Sequence, residues 1–317
     1  MTVPPAVVAT GSIAFDYIIR FQGHFGDHFV ASKAETLNLS FLVDRMEKRR
    51  GGVAANYAYT MALLGQPSAI LATAGGEDAA DYRAWLEGLG VDCRGLRLLD
   101  GELSATGFTT VDLDANQLTG YYGGAMLRAA DLHLTDTVPD PAALIVGPNA
   151  PDAMGQLVRE CREARIPWVY DPSHQLPMLD AATLIDSARG AWILIGNEYE
   201  LGLIQQRTER DVQGLLELAE VVVTTRGKNG SEIATRERTV QIPAAPICAE
   251  VDPVGAGDAF RGGLLHGLIA GRSLEESGRI ASLAGAYVVE QSGASQHHYT
   301  RTEFEQRYRQ AFGAELS

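Results

Sequence analysis

The sequence predicts an α/β protein in which a central, mostly parallel sheet is flanked by helices and carries a small β-sheet lid. Three observations predict it. Short apolar runs of strand length recur with helix-length amphipathic stretches between them. Two Thr-, Tyr- and Gly-punctuated segments interrupt that rhythm, and a glycine-rich turn at residues 255–257 opens an apolar helix pattern.

The first strand is expected at Val7-Val8-Ala9, after a short approach that lacks the basic start of a signal peptide. The alternation is clearest beyond residue 140. Ala143 to Val146 reads as a strand followed by a helix from Pro151 to Ala164, and Trp168 to Tyr170, Trp192 to Ile195 and Val221 to Val223 continue the series. Such runs, apolar at every position, suit strands buried on both faces. The interrupting segments lie near residues 16–46 and 104–124, and both read as strands of the lid. The helix from Gly52 to Leu64 and a βα unit separate them, so the lid is an excursion from the main domain. The expected division is a large domain of residues 1–15, 47–103 and 126–317, with residues 16–46 and 104–125 as the lid.

A chain of 317 residues with 46% hydrophobic and 21% charged residues is long and apolar enough for a substantial core, which excludes a disordered scaffold. Its net charge of −14 repels phosphate backbones, so nucleic acid and anionic membrane are poor partners, although a local positive field can still hold one nucleotide. No apolar run reaches the roughly 18 residues of a membrane span. Cys93, Cys161 and Cys248 are widely spaced, with no CxxC pair and an odd count, which points to a reducing, cytoplasmic setting.

The chemistry concentrates in Asp252-Pro253-Val254-Gly255-Ala256-Gly257-Asp258-Ala259-Phe260-Arg261-Gly262-Gly263. Glycines at a helix entrance let backbone N–H groups point at an anion, and the helix dipole favours negative charge there. Asp258 would stand beside the phosphate with a free carboxylate, where phosphoryl transfer needs a proton acceptor. An ordinary tight turn with a capping aspartate has the same local sequence. Rival motifs fail: Gly227-Lys228 lacks the upstream glycine of a Walker A loop, and Phe260 occupies the third glycine position of a dinucleotide fingerprint.

The GAGDAF stretch resembles the C-terminal signature of the ribokinase-like (PfkB) sugar and nucleoside kinases, and Gly51-Gly52-Val53-Ala54-Ala55-Asn56 resembles their Gly-Gly-x-x-x-Asn signature. Asn197-Glu198-Tyr199-Glu200 is similar to the family's Asn-x-x-Glu motif, and Thr225 to Gly230 to its nucleotide-binding strand and turn. Residues 10–16, 39–44, 122–126 and 171–176 look most like the bacterial adenosine kinases, a branch of that superfamily. Pro253 and His174 depart from the patterns expected at their positions.

The resemblance implies a ribokinase-like fold and an ATP- and magnesium-dependent kinase for a nucleoside hydroxyl, adenosine first. Gly255, Ala256, Gly257 and Asp258 form the catalytic turn on this reading. Ser12, Asp16, Ser40, Gly51, Gly52, Asn56 and Gln175 hold the acceptor, Asp16 on the vicinal ribose hydroxyls. Phe108 and Tyr121, with Tyr122, offer flat surfaces for a purine, although lid aromatics serve equally as lid packing or a contact between copies. Asn197, Thr225, Gly227 and Gly230 line the ATP site, and Glu200 reaches magnesium through water. Asp252 and the loop at Gly293 resemble the family's monovalent-cation site, which takes potassium. The charged run Glu47-Lys48-Arg49-Arg50 reads as solvated, with Arg50 near the Gly-Gly turn. Closure of the lid would exclude water, and its exposed edge favours a homodimer. A kinase for another nucleoside or a free sugar such as ribose or fructose is the alternative within this class. A nucleoside-binding protein without turnover is the alternative outside it.

Overall fold

This computed structural model describes residues 6–28, 42–114 and 116–316. Among them the strands are β1 (Val7–Thr10), β2 (Ala14–Arg20), β3 (Arg45–Gly51), β4 (Ser68–Gly75), β5 (Asp92–Leu99), β6 (Ala105–Val111), β7 (Gln117–Tyr122), β8 (Ala143–Val146), β9 (Trp168–Tyr170), β10 (Ile193–Asn197), β11 (Val221–Thr225), β12 (Ser231–Thr235) and β13 (Thr239–Ile242). Nine of these form one sheet in the order β13-β12-β11-β10-β9-β8-β1-β4-β5. Neighbours from β5 across to β11 are parallel, and the pairings β11–β12 and β12–β13 are antiparallel. β1 lies between β8 and β4, the point where the strand order reverses and the carboxyl ends splay a crevice open.

The helices are α1 (Phe25–His28), α2 (Val53–Leu63), α3 (Ala80–Gly88), α4 (Pro151–Ala164), α5 (Ala181–Ala188), α6 (Glu198–Thr208), α7 (Val212–Leu216), α8 (Ala256–Ile269), α9 (Leu274–Val289) and α10 (Arg301–Phe312). Strand alternation sends Val7, Ile145, Ile193 and Val223 to one face, against Tyr57 of α2, Leu86 of α3 and Leu264 of α8. Val8, Leu144, Leu194 and Val222 go to the other, against Leu157 of α4, Leu184 of α5 and Ile204 of α6. The doubly buried strands expected from the sequence are therefore the layer between two helix layers. Gly262 and Gly263 let α8 lie tightly between α2 and α9: a Cβ would fall 3.1 Å from the Tyr57 carbonyl oxygen and 2.9 Å from Ala281 Cα. That close packing brings the start of α8 against α2. Among the described residues no helix is long and apolar enough to cross a membrane.

The second sheet has the order β3-β2-β6-β7, with β2 and β6 parallel and the outer pairs antiparallel. Residues 47–51, assigned above to the large domain, continue β3, so this sheet leads directly into the Gly51-Gly52 turn. The basic run is correspondingly not just solvated. Lys48 Nζ lies 3.7 Å from the Phe15 ring centre, the Arg50 guanidinium 4.9 Å from that of Trp85, and Arg49 bonds Glu47 at 2.6 Å. Period-2 alternation divides the lid into two faces. Asp16, Gly107 and Tyr121 are register partners on one, while Tyr17 and Phe108 are partners on the other.

Candidate active site

The glycine turn at the start of α8 is built by Gly255, its N-cap, whose φ of 86° is left-handed backbone that glycine adopts without strain. Ala256 N–H is taken by the Pro253 carbonyl at 3.2 Å, so it is not the anion donor expected of it. Among the described residues the N–H groups of Gly255 and Gly257 have no backbone acceptor and remain available to a phosphate. Asp258 follows in the first turn of α8. Its carboxylate Oδ2 accepts a 2.8 Å hydrogen bond from Asn56 Nδ2 of α2, which joins two motifs far apart in the chain. Withdrawal from water pushes the Asp258 carboxyl up to about 7, against the opposing effects of Arg261 and the Asn56 bond. A carboxylate so placed is poised to take a proton near neutral pH.

Asn56 is 7% exposed, and its other polar atom, Oδ1, is buried with no partner among the described residues. A buried orphan acceptor beside a buried carboxylate is a place for a donor hydroxyl. The acceptor side of the crevice continues under the lid. Ser12 Oγ accepts the Val53 N–H at 3.3 Å, and the Asp16 carboxylate lies over Gly51 and Gly107, where a Cβ would come within 2.2 and 2.8 Å of it. Burial raises the Asp16 carboxyl, Arg49 lowers it and Asp252 raises it. Tyr121 shares this face, and its Oη donates to Met126 Sδ at 3.9 Å.

A cleft of about 770 Å³ runs from Asp258, Gly257 and Ala256 past Glu200 and Asn197 to Thr225, Gly227 and Gly230. Ala244, Pro246, Ile247 and Val289 give its far end an apolar wall suited to a base. Asn197 is the N-cap of α6: it accepts from the Glu200 N–H at 2.9 Å, while Glu200 Oε2 accepts from the Asn197 N–H at 2.7 Å. Helix capping and a place in the cleft are therefore combined in the same two side chains. For magnesium the residues fit, since one cleft-facing carboxylate with water and phosphate oxygens suits that ion.

Several expected residues stand elsewhere. Phe108 is on the lid face opposite Asp16, stacked on Tyr17 at 5.3 Å between ring centres, so it and Tyr121 cannot share one purine within a single chain. Gln175 is half-buried in the 3-10 turn Ser173–Met178 and does not line the cleft, whereas its neighbours Ser173 and His174 do. Ser40 lies outside the described residues. For the monovalent cation expected at Asp252 and Gly293, the residues do not fit. The Asp252 oxygens accept the Val254 and Gly293 N–H groups at 3.0 Å each, and Arg49 Nη1 stands 3.7 Å away, a positive charge supplied by the chain.

Sequence reasoning missed the pair beneath the turn. Arg261, one helical turn after Asp258, is 5% exposed and pairs with fully buried Asp171, which follows β9. A lone arginine in the otherwise apolar start of α8 was its one local signal.

A nucleoside kinase of Burkholderia thailandensis, solved in complex with inosine, superposes with a TM-score of 0.88 and is 37% identical, covering 98% of this chain and 99% of that one. A nucleoside kinase of Methanothermobacter thermautotrophicus is 31% identical over 312 residues, 98% of this chain and 97% of its own. A cytidine kinase of Thermococcus kodakarensis is 26% identical over 239 residues, 73% of this chain and 84% of its own. The description "pfkB family carbohydrate kinase" matches residues 6–300. The match spans nearly the whole chain and the fold agrees with it, so the chain belongs to the pfkB family of carbohydrate kinases, ATP-dependent enzymes that phosphorylate a sugar or nucleoside hydroxyl.

Proposed function

We propose that this protein transfers the γ-phosphoryl group of ATP to the hydroxymethyl group of a purine ribonucleoside, adenosine or inosine, with Asp258 as general base. The observation that carries the reading is the bond from Asn56 to Asp258, with the unpartnered Asn56 Oδ1 beside it: one side chain holds the base and offers an acceptor to the reacting hydroxyl. ATP lies along the cleft with its base against the apolar wall and its phosphates toward Gly255 and Gly257. Glu200 would hold magnesium through water, and the ion would supply positive charge to offset that of the phosphates. Asp16 takes the ribose hydroxyls, and Tyr121, on the same lid face, stacks on the base. Asp258 accepts the hydroxyl proton as the oxygen attacks, and the glycine N–H groups stabilise the moving phosphoryl group. The inosine complex of the Burkholderia relative is why inosine stands beside adenosine.

The test is ADP release over a panel of adenosine, inosine, cytidine, ribose and fructose, with each product identified by mass. Purine ribonucleosides should have the highest kcat/KM, and Tyr121→Ala should lower it through base stacking worth about 1–3 kcal/mol. A preference for ribose or fructose would leave the kinase standing and overturn the nucleoside reading.

Glu200→Gln keeps an oxygen to cap α6 while removing the negative charge. The magnesium concentration needed for half-maximal rate should therefore rise with little change in thermal stability. An unaltered magnesium titration would take Glu200 out of the metal's surroundings.

A further inference from the structure

The buried pair beneath the catalytic turn has no part in the reaction as described so far, and its stability is a poor reason for its presence. Taking two charges out of water costs more than a well-packed apolar pair would, unless geometry and added hydrogen bonds compensate. Here several hydrogen bonds are added. Asp171 accepts from Tyr57 Oη at 2.6 Å and from Arg261 Nη2 at 2.8 Å, and it is also bonded by the Ser173 hydroxyl. Arg261 also donates through Nη2 to Ser173 Oγ at 3.2 Å and through Nη1 to the Gly257 carbonyl at 2.9 Å. That last bond reaches the phosphate-facing turn itself.

The network also ties together the elements that carry the site. Tyr57 and Asn56 are consecutive on α2: Tyr57 holds Asp171, and Asn56 holds Asp258. Arg261 and Asp258 share α8, Asp171 follows β9, and Glu200 of α6 approaches Arg261 Nη2 at 3.9 Å. We propose that Arg261, locked by Asp171 and Tyr57, is a positioning residue for phosphoryl transfer, fixing the Gly257 peptide relative to Asp258 and supplying the positive charge beneath that carboxylate. This rests on Asp258 being the base.

The charged groups around Asp258 are Arg261 from its own helix, Asp171 from the end of β9 and Glu200 from α6, and α2 contributes Asn56 and the neutral Tyr57. Their signs make the inference testable. Arg261 favours the ionised form of Asp258, and Asp171 disfavours it. Loss of the guanidinium should therefore move the acid limb of the kcat/KM profile to higher pH, and loss of the Asp171 charge should move it to lower pH. Damage to the fold would move both the same way or neither.

The experiment compares Arg261→Gln, Asp171→Asn, Arg261→Lys and Asp258→Asn in the full-length protein, by pH profiles of kcat/KM, kcat, KM for ATP and thermal unfolding. Arg261→Gln and Asp171→Asn should each lower kcat on the order of 10²-fold with smaller changes in KM, because geometry in the transition state is what is lost. Arg261→Lys should recover the position of the acid limb but only part of kcat, since ammonium keeps the charge and cannot span Asp171 and Gly257 together. Acid limbs that stay where the wild type has them, or shift in one direction for both variants, would overturn the proposal. So would a kcat for folded Arg261→Gln equal to that of the wild type. Should Asp258→Asn itself turn over normally, the base assignment fails first, and that outcome is separate from an inactive Asp258→Asn with unshifted Arg261 and Asp171 variants. If Arg261→Gln does not fold, the opposite-sign shift in Asp171→Asn and the charge rescue in Arg261→Lys still decide.

Discussion

Replacing Asp258 with asparagine should lower kcat by about 10²–10⁴-fold while nucleotide binding and the fold persist. The amide retains the shape of the carboxylate and can still meet Asn56, but it cannot accept the hydroxyl proton. The wild-type pH profile should report the same group. Its carboxyl is pushed up to about 7, so kcat/KM should rise with pH, level off above about 7 and fall about tenfold for each pH unit below it. Stability runs in the opposite sense. A carboxyl raised in the folded protein binds its proton more tightly there than in the unfolded chain, so its contribution is fully present below the ordinary carboxylate range near 4 and is lost as pH rises through about 7. Asp258→Asn should therefore be more stable than the wild type at pH 8 and much less active. Denaturant titrations at pH 5 and pH 8, beside steady-state rates, check both halves. Full activity in the folded variant would end the assignment of Asp258 as base.

Gly52→Ala should be among the most damaging single-methyl changes in the crevice. Gly52 holds φ 94° as N-cap of α2, a conformation that L side chains rarely adopt. A Cβ there would lie 2.5 Å from Ser12 O, 2.7 Å from Ala14 N and 2.9 Å from Ile13 Cα, all backbone atoms that no rotamer change can move aside. Strain and overpacking together should cost about 2–5 kcal/mol. The start of α2 is also where Ser12 accepts from Val53 and Ala54, so the displacement should carry Asn56 out of reach of both Asp258 and the acceptor. Thermal unfolding and the acceptor KM measure the two effects. A variant with wild-type melting and wild-type KM would show that the turn is not the cradle described.

How much of this could be read in the sequence depends on how local each feature is. The strand and helix rhythm, the β-rich lid segments and the GAGD helix start depend on residues within a few positions of one another, and the architecture and family follow from them. The helix expected from Pro151 to Ala164 is α4 with those bounds. Asn197 and Glu200 are legible as a four-residue motif that resembles the family's Asn-x-x-Glu, and the capping box they form is equally local.

What a sequence does not contain is which distant segments meet and in what register. Phe108 and Tyr121 have the same composition signal, yet pairing with Tyr17 and Gly107 turns them to opposite faces, because a register difference of one residue reverses a strand's side chains. The same dependence put Arg49 beside Asp252 in place of an added cation. Asn56 and Asp258 are 202 residues apart, and Asp171 and Arg261 are 90 apart. Neither pair has a local pattern that announces it. The sequence by itself determined the fold class and the glycine turn that opens α8, since both follow from short-range backbone geometry. Only the tertiary structure decided what surrounds Asp258, since Arg261 of α8 and Tyr57 of α2 meet at buried Asp171, which follows β9.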